Sequence, residues 1–574
     1  MADNRLEQLT KYDYRVIADY YRFRIWRSIW RTLRITFYFG SFCLALLFDR
    51  WFEREDANKH RRATQLREVL TALGPTFIKV GQALSTRPDL VRVDFLDELT
   101  KLQDRLPPFP NELAFAIIEN ELDRTVDEAY REISRTPVAA ASLGQVYKAR
   151  LYNGDQVAVK VQRPNLLPTL TLDLYLIRWA AGWLEPWLPL NLGHDLTLIV
   201  DEFGTKLFEE IDYINEGRNA ERFASNFQAC DYVKVPSIYW RYTSRHVLTL
   251  EWIEGYKLAG AGSLNDKPFD ADAVVRLGVI SGLQQLLEFG FFHADPHPGN
   301  LFAVPANQAN GNVDQMAYID FGMMDQLNQR SKEKLVDAVV HLINKEYDEL
   351  AIDFIELGFL APGTDIKPIV PALESVLGDV MGERVRDFNF KTVTDRFSEM
   401  MYEYPFRVPA KFALIIRSIV TQEGLALSVN PDFRIVEVAY PYVARRLITG
   451  ETPELRRRLL AILFKDGKFR WDRLESMLKI ARTEADFDLL PTAQLGLSYL
   501  MSEEGSNLRQ QLLLAMVEDD RIHTDEVRRL WDLIKDDIKP DRILNSAMNS
   551  AVGALVNFSR ERAASIFPAI EVLN

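Results

Sequence analysis

A chain of 574 residues exceeds what one ordinary hydrophobic core organises, so two or more structural units are expected. Hydrophobic residues at 47% and charged residues at 26% describe a folded protein, and a formal net charge of −13 argues against a general nucleic-acid binder, whose phosphate contacts need clustered Lys and Arg. The two cysteines, Cys43 and Cys230, exclude a disulfide framework and a Cys-rich zinc site, and suit a reducing compartment.

Near the N-terminus, "YYRFRIWRSIWRTLRITFYFGSFCLALLFDRWF" (20–52) interleaves Arg22, Arg24, Arg27, Arg31 and Arg34 with aromatics. An uncharged run from Ile35 to Phe48 follows, closed by Asp49 and Arg50. As a helix that run reaches about 21 Å, short of the roughly 30 Å hydrocarbon core. The long basic lead, with no small-residue cleavage site after the apolar run, sets it apart from a secretory signal. A basic, aromatic-rich helix leading into an apolar one reads best as an interfacial membrane anchor. The alternative is an amphipathic helix packed on the protein's own surface. No later segment reads as an apolar run long enough to span.

The stretch 60–110 carries apolar residues at helical spacing, punctuated by Gly74-Pro75, Arg87-Pro88 and Pro107-Pro108. Strand character begins in "PVAAASLGQVYKARLYNGDQVAVKVQRP" (137–164), where two alternating runs around "NGD" predict a hairpin. Lys160 sits among valines in the second run. By itself it is equally an edge-strand lysine facing water or a buried functional cation. Over 201–227 the pattern predicts one helix with a polar face, on which Glu210, Asp212 and Glu216 read in isolation as solvated surface charge.

"HADPHPGN" (293–300) is too polar for a core strand. His293, Asp295 and His297 alternate, so a metal triad is geometrically conceivable; Pro296, Pro298 and Gly299 oppose the regular strand it would need. "AYIDFGMMDQL" (317–327) then gives a short strand ending in Asp320-Phe321-Gly322. A lysine in a "VAVK" strand, then Asp295 and Asn300 separated by four residues, then Asp-Phe-Gly, is the ordered set used in kinase phosphoryl transfer. The chemistry explains the residue types. A cation such as Lys160 neutralises the α- and β-phosphates, Asp320 and Asn300 offer hard oxygen ligands to Mg²⁺, and Asp295 orients or deprotonates an attacking hydroxyl or water.

Three features depart from an ordinary protein kinase. Ala139, Ala140 and Ala141 stand where a phosphate loop is normally glycine-rich, with Gly144 retained. The catalytic loop reads His-Ala-Asp, without the usual arginine. Only a short segment follows Asp320 before helical pattern resumes, with no Ala-Pro-Glu. Together with "FIKVGQALSTRPDL" (77–90) and "EEIDYINEGRNAERF" (209–223), these residues resemble the UbiB-type, or aarF-domain, atypical kinase-like family over roughly 65–450, in a bacterial (cyanobacterial-like) or plastid-type form.

The resemblance implies an α+β, bilobal protein-kinase-like fold: a small β-rich N-lobe, a helical C-lobe and added N- and C-terminal helical extensions. It implies membrane-associated helices over 1–64, a Lys-x-Gly-Gln extension over 65–130, an N-lobe with a helical insertion over 131–255, a C-lobe over 256–450 and a C-terminal extension over 451–574. ATP or ADP with Mg²⁺ would be held by Ala139, Ala140, Ala141, Ser142, Gly144, Val146, Ala158, Lys160, Glu216, Glu251 and Ile253, with Asn300 and Asp320 on the metal. Glu216 would pair with Lys160. Lys79 and Gln82 would point toward the nucleotide site, with Glu210 as the partner of Lys79 and Asp212 in the same pairing region; Lys79, Gln82, Lys160 and Asp295 are the implied catalytic set.

The implied function is a Mg-ATPase or small-molecule kinase in prenylquinone lipid metabolism at a membrane, on its cytoplasmic side: thylakoid, plastoglobule-like or plasma membrane. Its partners would be membrane lipids or prenylquinone precursors and lipid-biosynthetic enzymes, with a homodimer open. A protein kinase acting in trans and a nucleotide-binding scaffold without turnover remain alternatives. The apolar insertion around "IRWAAGWLEPWLPLNL" (177–192) would pack on the extension or face lipid.

Overall fold

A computed structural model of the chain describes Leu6 and most residues from 9 to 449, without 86–90, 92, 100, 103–106, 188–195, 259–266, 308–312, 344, 378–403 and 405; beyond 449 it describes scattered positions between 459 and 475, and residue 528. The expected C-terminal extension over 451–574 and the end of the 77–90 motif therefore fall largely outside the described residues. The chain divides into two compact units, Met1–Ile435 and Val436–Asn574. In the second, Phe464–Lys465 pairs with Lys468–Phe469, and Leu459, Leu463, Trp471 and Leu474 form a small apolar cluster.

Near the start of the first unit lie helices α1 (Tyr14–Arg22), N-capped by Asp13, and α2 (Ile25–Trp51). The basic and apolar stretches of the sequence are one helix of 27 residues, about 40 Å long, which corrects the length argument drawn from the apolar run alone. Ile35, Tyr38, Phe39, Phe42 and Leu46 on one face pack against α3 (Glu55–Leu73) and α4 (Pro75–Leu84). Trp26, Trp30, Leu33 and Phe37, and after a gap of two turns Leu44, Leu47 and Trp51, form an exposed apolar stripe on another. Two charges tie the inner face down. Arg31 reaches both oxygens of the fully buried Asp173 (2.6 and 2.8 Å) and the Leu73 carbonyl (2.7 Å), while Asp49 is held by Arg62 at 2.5 Å. The Thr76 hydroxyl donates to the same Asp173 at 2.7 Å, so α2 and the start of α4 share one buried carboxylate. Between α3 and α4, Gly74 takes φ +102°, open to glycine, and Pro75 starts α4 where its missing N–H costs nothing.

After α5 (Val93–Leu99) and α6 (Asn111–Leu122) comes the N-lobe sheet. Its strands are β1 (Glu132–Ile133), β2 (Ala139–Ala140), β3 (Gly144–Arg150), β4 (Gln156–Gln162) and, after β5 (Val233–Lys234) of a second sheet, β6 (Val247–Glu251). The order is β1-β3-β4-β6, with β2 also on β3, antiparallel throughout. The expected hairpin is present: Asn153 Oδ1 accepts from the Asp155 N–H and Gly154 takes φ +97°. β4 is central, with Lys160 opposite Val146 and Leu248, so the edge-strand reading of that lysine falls.

Between β4 and β6 lie α7 (Leu166–Leu184), α8 (Leu196–Glu210) and α9 (Tyr213–Asn226). The single helix expected over 201–227 is two, because Asp212 adopts extended backbone and caps the second: Oδ1 accepts from the N–H groups of Ile214 (3.1 Å) and Asn215 (3.3 Å). Within 177–192, Ile177 packs on the extension at α3 and α4, whereas Trp179 and Trp183 are exposed and 188–192 lie outside the described residues. Leu166, Leu170, Leu174, Leu207 and Phe208 share a core with Ile17 and Tyr21 of α1 and with Leu143.

The C-lobe follows: β7 (Tyr256–Lys257), α10 (Ala271–Gln284), β8 (Phe291–His293), β9 (Leu301–Val304), β10 (Gln315–Tyr318), β11 (Met324–Gln326), α11 (Gln329–Ile343), α12 (Tyr347–Glu356), α13 (Ile369–Leu377) and α14 (Ala410–Val429). By length and composition α14 could cross a membrane, which corrects the statement that no later segment could. Its Phe412, Ala413 and Ile415 are instead buried in the C-lobe core with Phe359, Leu360 and Leu373.

Two substitutions test this framework. Gly144→Ala places a Cβ about 2.5 Å from the Val161 carbonyl oxygen and 2.6 Å from the Tyr213 hydroxyl, and should lower unfolding free energy by about 1–3 kcal/mol in a denaturant titration. Arg31→Ala leaves Asp173 buried without its cation and should cost about 3–5 kcal/mol in the same measurement.

Candidate active site

Two strand pairings fix the catalytic loop. β8 pairs antiparallel with β11, setting His293 opposite Met324, and β9 pairs with β10, setting Leu301 opposite Tyr318. The loop from Ala294 to Asn300 and the turn from Ile319 to Met323 are thus held face to face. Backbone bonds stitch their ends: the Ala294 N–H to the Met323 carbonyl (2.9 Å) and the Ile319 N–H to the Asn300 carbonyl (3.2 Å). Asn300 Nδ2 lies 3.3 Å from Asp320 Oδ2.

His293 locks the junction. Its Nε2–H donates to the Asp320 carbonyl (2.7 Å) and its Nδ1 accepts from the Asp295 N–H (3.1 Å), so both ring nitrogens are engaged. Burial pushes its pKa down and favours this neutral form. His297 Nδ1 accepts from the Gly299 N–H at 3.0 Å. The alternating histidines therefore shape the loop, and no group of three or more His, Cys, Asp or Glu converges among the described residues.

Lys160 arrives from the centre of the sheet. Its Nζ donates to Glu216 Oε1 at 2.5 Å and to the Ile319 carbonyl at 3.3 Å, and lies 3.8 Å from Asp320 Oδ1. Glu216 is only 3% exposed, on the inner face of α9, where Oε1 also faces the Phe321 N–H at 3.4 Å. One turn on, Asn219 donates to the Phe321 carbonyl (3.1 Å), and Phe223 packs its ring 5.3 Å from that of Phe321. Burial works to raise the Asp320 carboxyl, but the Lys160 charge and the Gly322 N–H outweigh it and hold it well below the carboxylate range. Burial pushes the Glu216 carboxyl up to about 7; Lys160 pulls the other way and the Asp320 charge adds to the rise. The Asp320 side chain keeps 42% of its surface open to the cleft.

Asp295 has a partner that the motif does not contain. Arg417 of α14 approaches its Oδ2 to 2.7 Å. Sequence reading missed this residue, though a lone arginine inside "FALIIRSIV" (412–420) signals a buried cation needing an anion. Lys79 of α4 forms an ion pair with Glu210 at the end of α8. Gln82, one turn further along α4, donates its amide to the Leu102 carbonyl at 2.7 Å. Asp212 is corrected: its carboxylate is engaged as the cap of α9 and takes no part in the Lys79 pairing.

In the alanine-rich loop, Ala139 and Ala140 pair with Val146 and Gln145, and the Ala141 N–H donates to the Gly144 carbonyl (2.8 Å). Ser142 and Leu143 are buried, and Arg163 Nε donates to the Ala141 carbonyl at 3.0 Å. The loop is a tight, anchored hairpin. Val146 and Ala158 share the Lys160 face of the sheet. Glu251 ends β6, with its carboxylate paired to Lys234 (2.7 Å) and bonded by the Ser237 N–H (3.1 Å); Ile253 follows two residues on.

This architecture is a kinase-like fold, with its lysine strand, glutamate helix, catalytic loop and Asp-Phe-Gly turn joined. Residues 101–353 match the ABC1 atypical kinase-like domain. An uncharacterized protein of Synechocystis is 62% identical, covering 98% of each chain. Two Arabidopsis thaliana chloroplastic proteins, ACTIVITY OF BC1 COMPLEX KINASE 1 and 3, are 44% and 43% identical, over 88% and 87% of this chain and 76% and 69% of theirs. The chain belongs to the ABC1, or aarF-domain, atypical kinase-like family.

The Glu216 environment gives a pH signature. Its carboxyl is raised, so lowering the pH through about 7 protonates it and removes the anion that orients Lys160. Affinity for a nucleotide triphosphate, followed by calorimetry, should rise between about pH 6 and about pH 8 in the wild type, and Glu216→Gln should flatten that rise.

Proposed function

We propose that this protein is a Mg²⁺-dependent, ATP-using kinase-type enzyme acting on an apolar small molecule at a membrane surface, in the chemistry of prenylquinones and related isoprenoid lipids. One observation carries the reading: Lys160, Glu216, Asp320 and Asn300, drawn from four separate stretches of chain, meet within hydrogen-bonding or ion-pair distance beside Asp295.

The residues fit a magnesium–nucleotide complex. Mg²⁺ keeps most of its water and is bound through one or two protein oxygens plus phosphates, so one carboxylate and one amide suffice. Asp320, kept ionised by Lys160 and partly open to the cleft, and Asn300 beside it would hold the ion, which supplies charge neutralisation on the phosphates when bound. Lys160, steered by Glu216, neutralises the α- and β-phosphates. The paired Arg417 keeps the Asp295 carboxylate in place, where it orients an attacking hydroxyl or water.

A small acceptor is favoured over a folded protein by the position of α4. Its Lys79 is tied to Glu210, whose Cγ would lie about 3.4 Å from a Cβ at Gly322, so α4 stands beside the Asp-Phe-Gly turn instead of leaving it open. The membrane is favoured by the exposed stripe on α2, in which Trp30 alone is 72% exposed. Chloroplastic relatives agree with a membrane-rich photosynthetic setting.

Asp320→Asn should reduce Mg²⁺-dependent ATP hydrolysis by roughly 100-fold or more in a phosphate-release assay on lipid-supplied protein; undiminished hydrolysis would overturn the assignment. Replacing Trp26, Trp30 and Phe37 together with serine should abolish flotation with anionic liposomes while leaving the protein folded by circular dichroism.

A further inference from the structure

Gly144, the glycine retained in the alanine-rich hairpin, leaves room for a hydroxyl. It does not take a positive φ, so what the position demands is the lack of a Cβ. A Cβ built there would lie 2.5 Å from the Val161 carbonyl oxygen and 2.6 Å from the Tyr213 hydroxyl. Gly144 pairs with Gln162, two residues beyond the Val146–Lys160 pair, and therefore shares the Lys160 face of the sheet. Tyr213 begins α9 one turn before Glu216, and its ring is buried in one apolar cluster with Ala158, Leu248 and Leu250. Along this face Ala158 comes first, then Lys160, then the Tyr213 hydroxyl against Gly144.

That hydroxyl has no hydrogen-bond partner among the described residues, although Tyr213 is only 6% exposed. Burial pushes its pKa well above the ordinary phenol range, and the charges of Glu216, Asp320 and Glu210 add to the rise, so it keeps its proton and acts as a donor. Each of those carboxylates is already engaged: Glu216 by Lys160, Glu210 by Lys79, and Asp320 by the Gly322 N–H and the Asn300 amide. A buried donor without an acceptor is costly, and the acceptor that fits this one is an anionic oxygen entering the cleft beside Lys160.

We propose that the Tyr213 hydroxyl donates to a non-bridging oxygen of the β- or γ-phosphate of the bound nucleotide. The inference rests on the nucleotide reading proposed above and supplies a donor that the hairpin lacks. In a glycine-rich loop, backbone N–H groups cradle the phosphates; here the Ala141 N–H is bonded to the Gly144 carbonyl. Lying beyond Lys160 from Ala158, Tyr213 meets the phosphates farther from the base. The lysine then grips the polyphosphate by charge and the tyrosine by a directed hydrogen bond.

Tyr213→Phe removes the oxygen and keeps the ring. Calorimetry on the full chain with Mg²⁺ should show the affinity for the non-hydrolysable imido analogue of ATP falling roughly ten- to a hundredfold, with that for AMP unchanged to within about twofold. Tyr213→para-aminophenylalanine, which keeps a donor at the same reach, should restore most of the lost affinity. The melting temperature without nucleotide should not fall, since no protein hydrogen bond is removed. Equal affinity for the ATP analogue in wild type and Tyr213→Phe would overturn the inference and leave the enzyme reading standing. So would a parallel loss for the ATP analogue and AMP, or a lowered melting temperature, since either makes the hydroxyl a structural group of α9. Wild-type protein that binds neither ATP nor its analogue with Mg²⁺ removes this donor and the enzyme reading together.

Discussion

One largely buried ammonium group organises the N-lobe. Lys160 sits mid-sheet between two carboxylates, Glu216 at 2.5 Å and Asp320 at 3.8 Å, and a cation so placed is tolerable only while both anions stay near. Much of the surrounding architecture serves that requirement. Asp212 starts α9 at the position that turns Glu216 inward; Asn219 and Phe223 bind α9 to Phe321; His293 grips the carbonyl of Asp320. The same three charges set the electrostatics of the cleft. One carboxyl is pulled below its ordinary range and the other pushed up, so neighbouring acids of similar chemistry respond to opposite environments.

What could be read from the sequence followed from local spacing. The hairpin around Asn153-Gly154, the loop from His293 to Asn300 and the Asp-Phe-Gly turn are each defined within about ten residues, and their order along the chain supplied the rest. What could not be read depends on contacts across long separations. Glu216 looks like surface charge until α9 is laid against β4, 56 residues away in sequence. Charge periodicity over 201–227 does not reveal that Asp212 interrupts the helix, because a capping aspartate and a solvated one look alike in a polar run. The Arg417–Asp295 pair joins residues on opposite sides of a segment with no motif of its own. The helix α2 was underestimated because its arginines suggested a boundary, whereas Arg31 turns inward to Asp173 and the helix continues.

The relation to the wider kinase fold is one of substitution. Where a glycine-rich flap would move over phosphates, a short hairpin is pinned by Arg163 and by the burial of Ser142 and Leu143. Where a catalytic-loop arginine would stand, alanine is found, and a guanidinium comes instead from α14 to hold Asp295. Where a substrate groove would open, α4 is fastened by Lys79 to Glu210. These changes replace parts that move or open with parts that are fixed.

The burial of Leu143 reaches beyond the loop that carries it. This side chain is sealed by Ile17 and Tyr21 of α1 together with Leu166, Leu170 and Leu207, so the alanine-rich hairpin and α1 share one hydrophobic interior. The segment recognisable as kinase-like, 101–353, is consequently no portable module. Excised at its borders it would lose the lid over Leu143, the wall provided by α4 and the guanidinium on Asp295. The kinase-like segment and the helices around it are therefore bound to fold together.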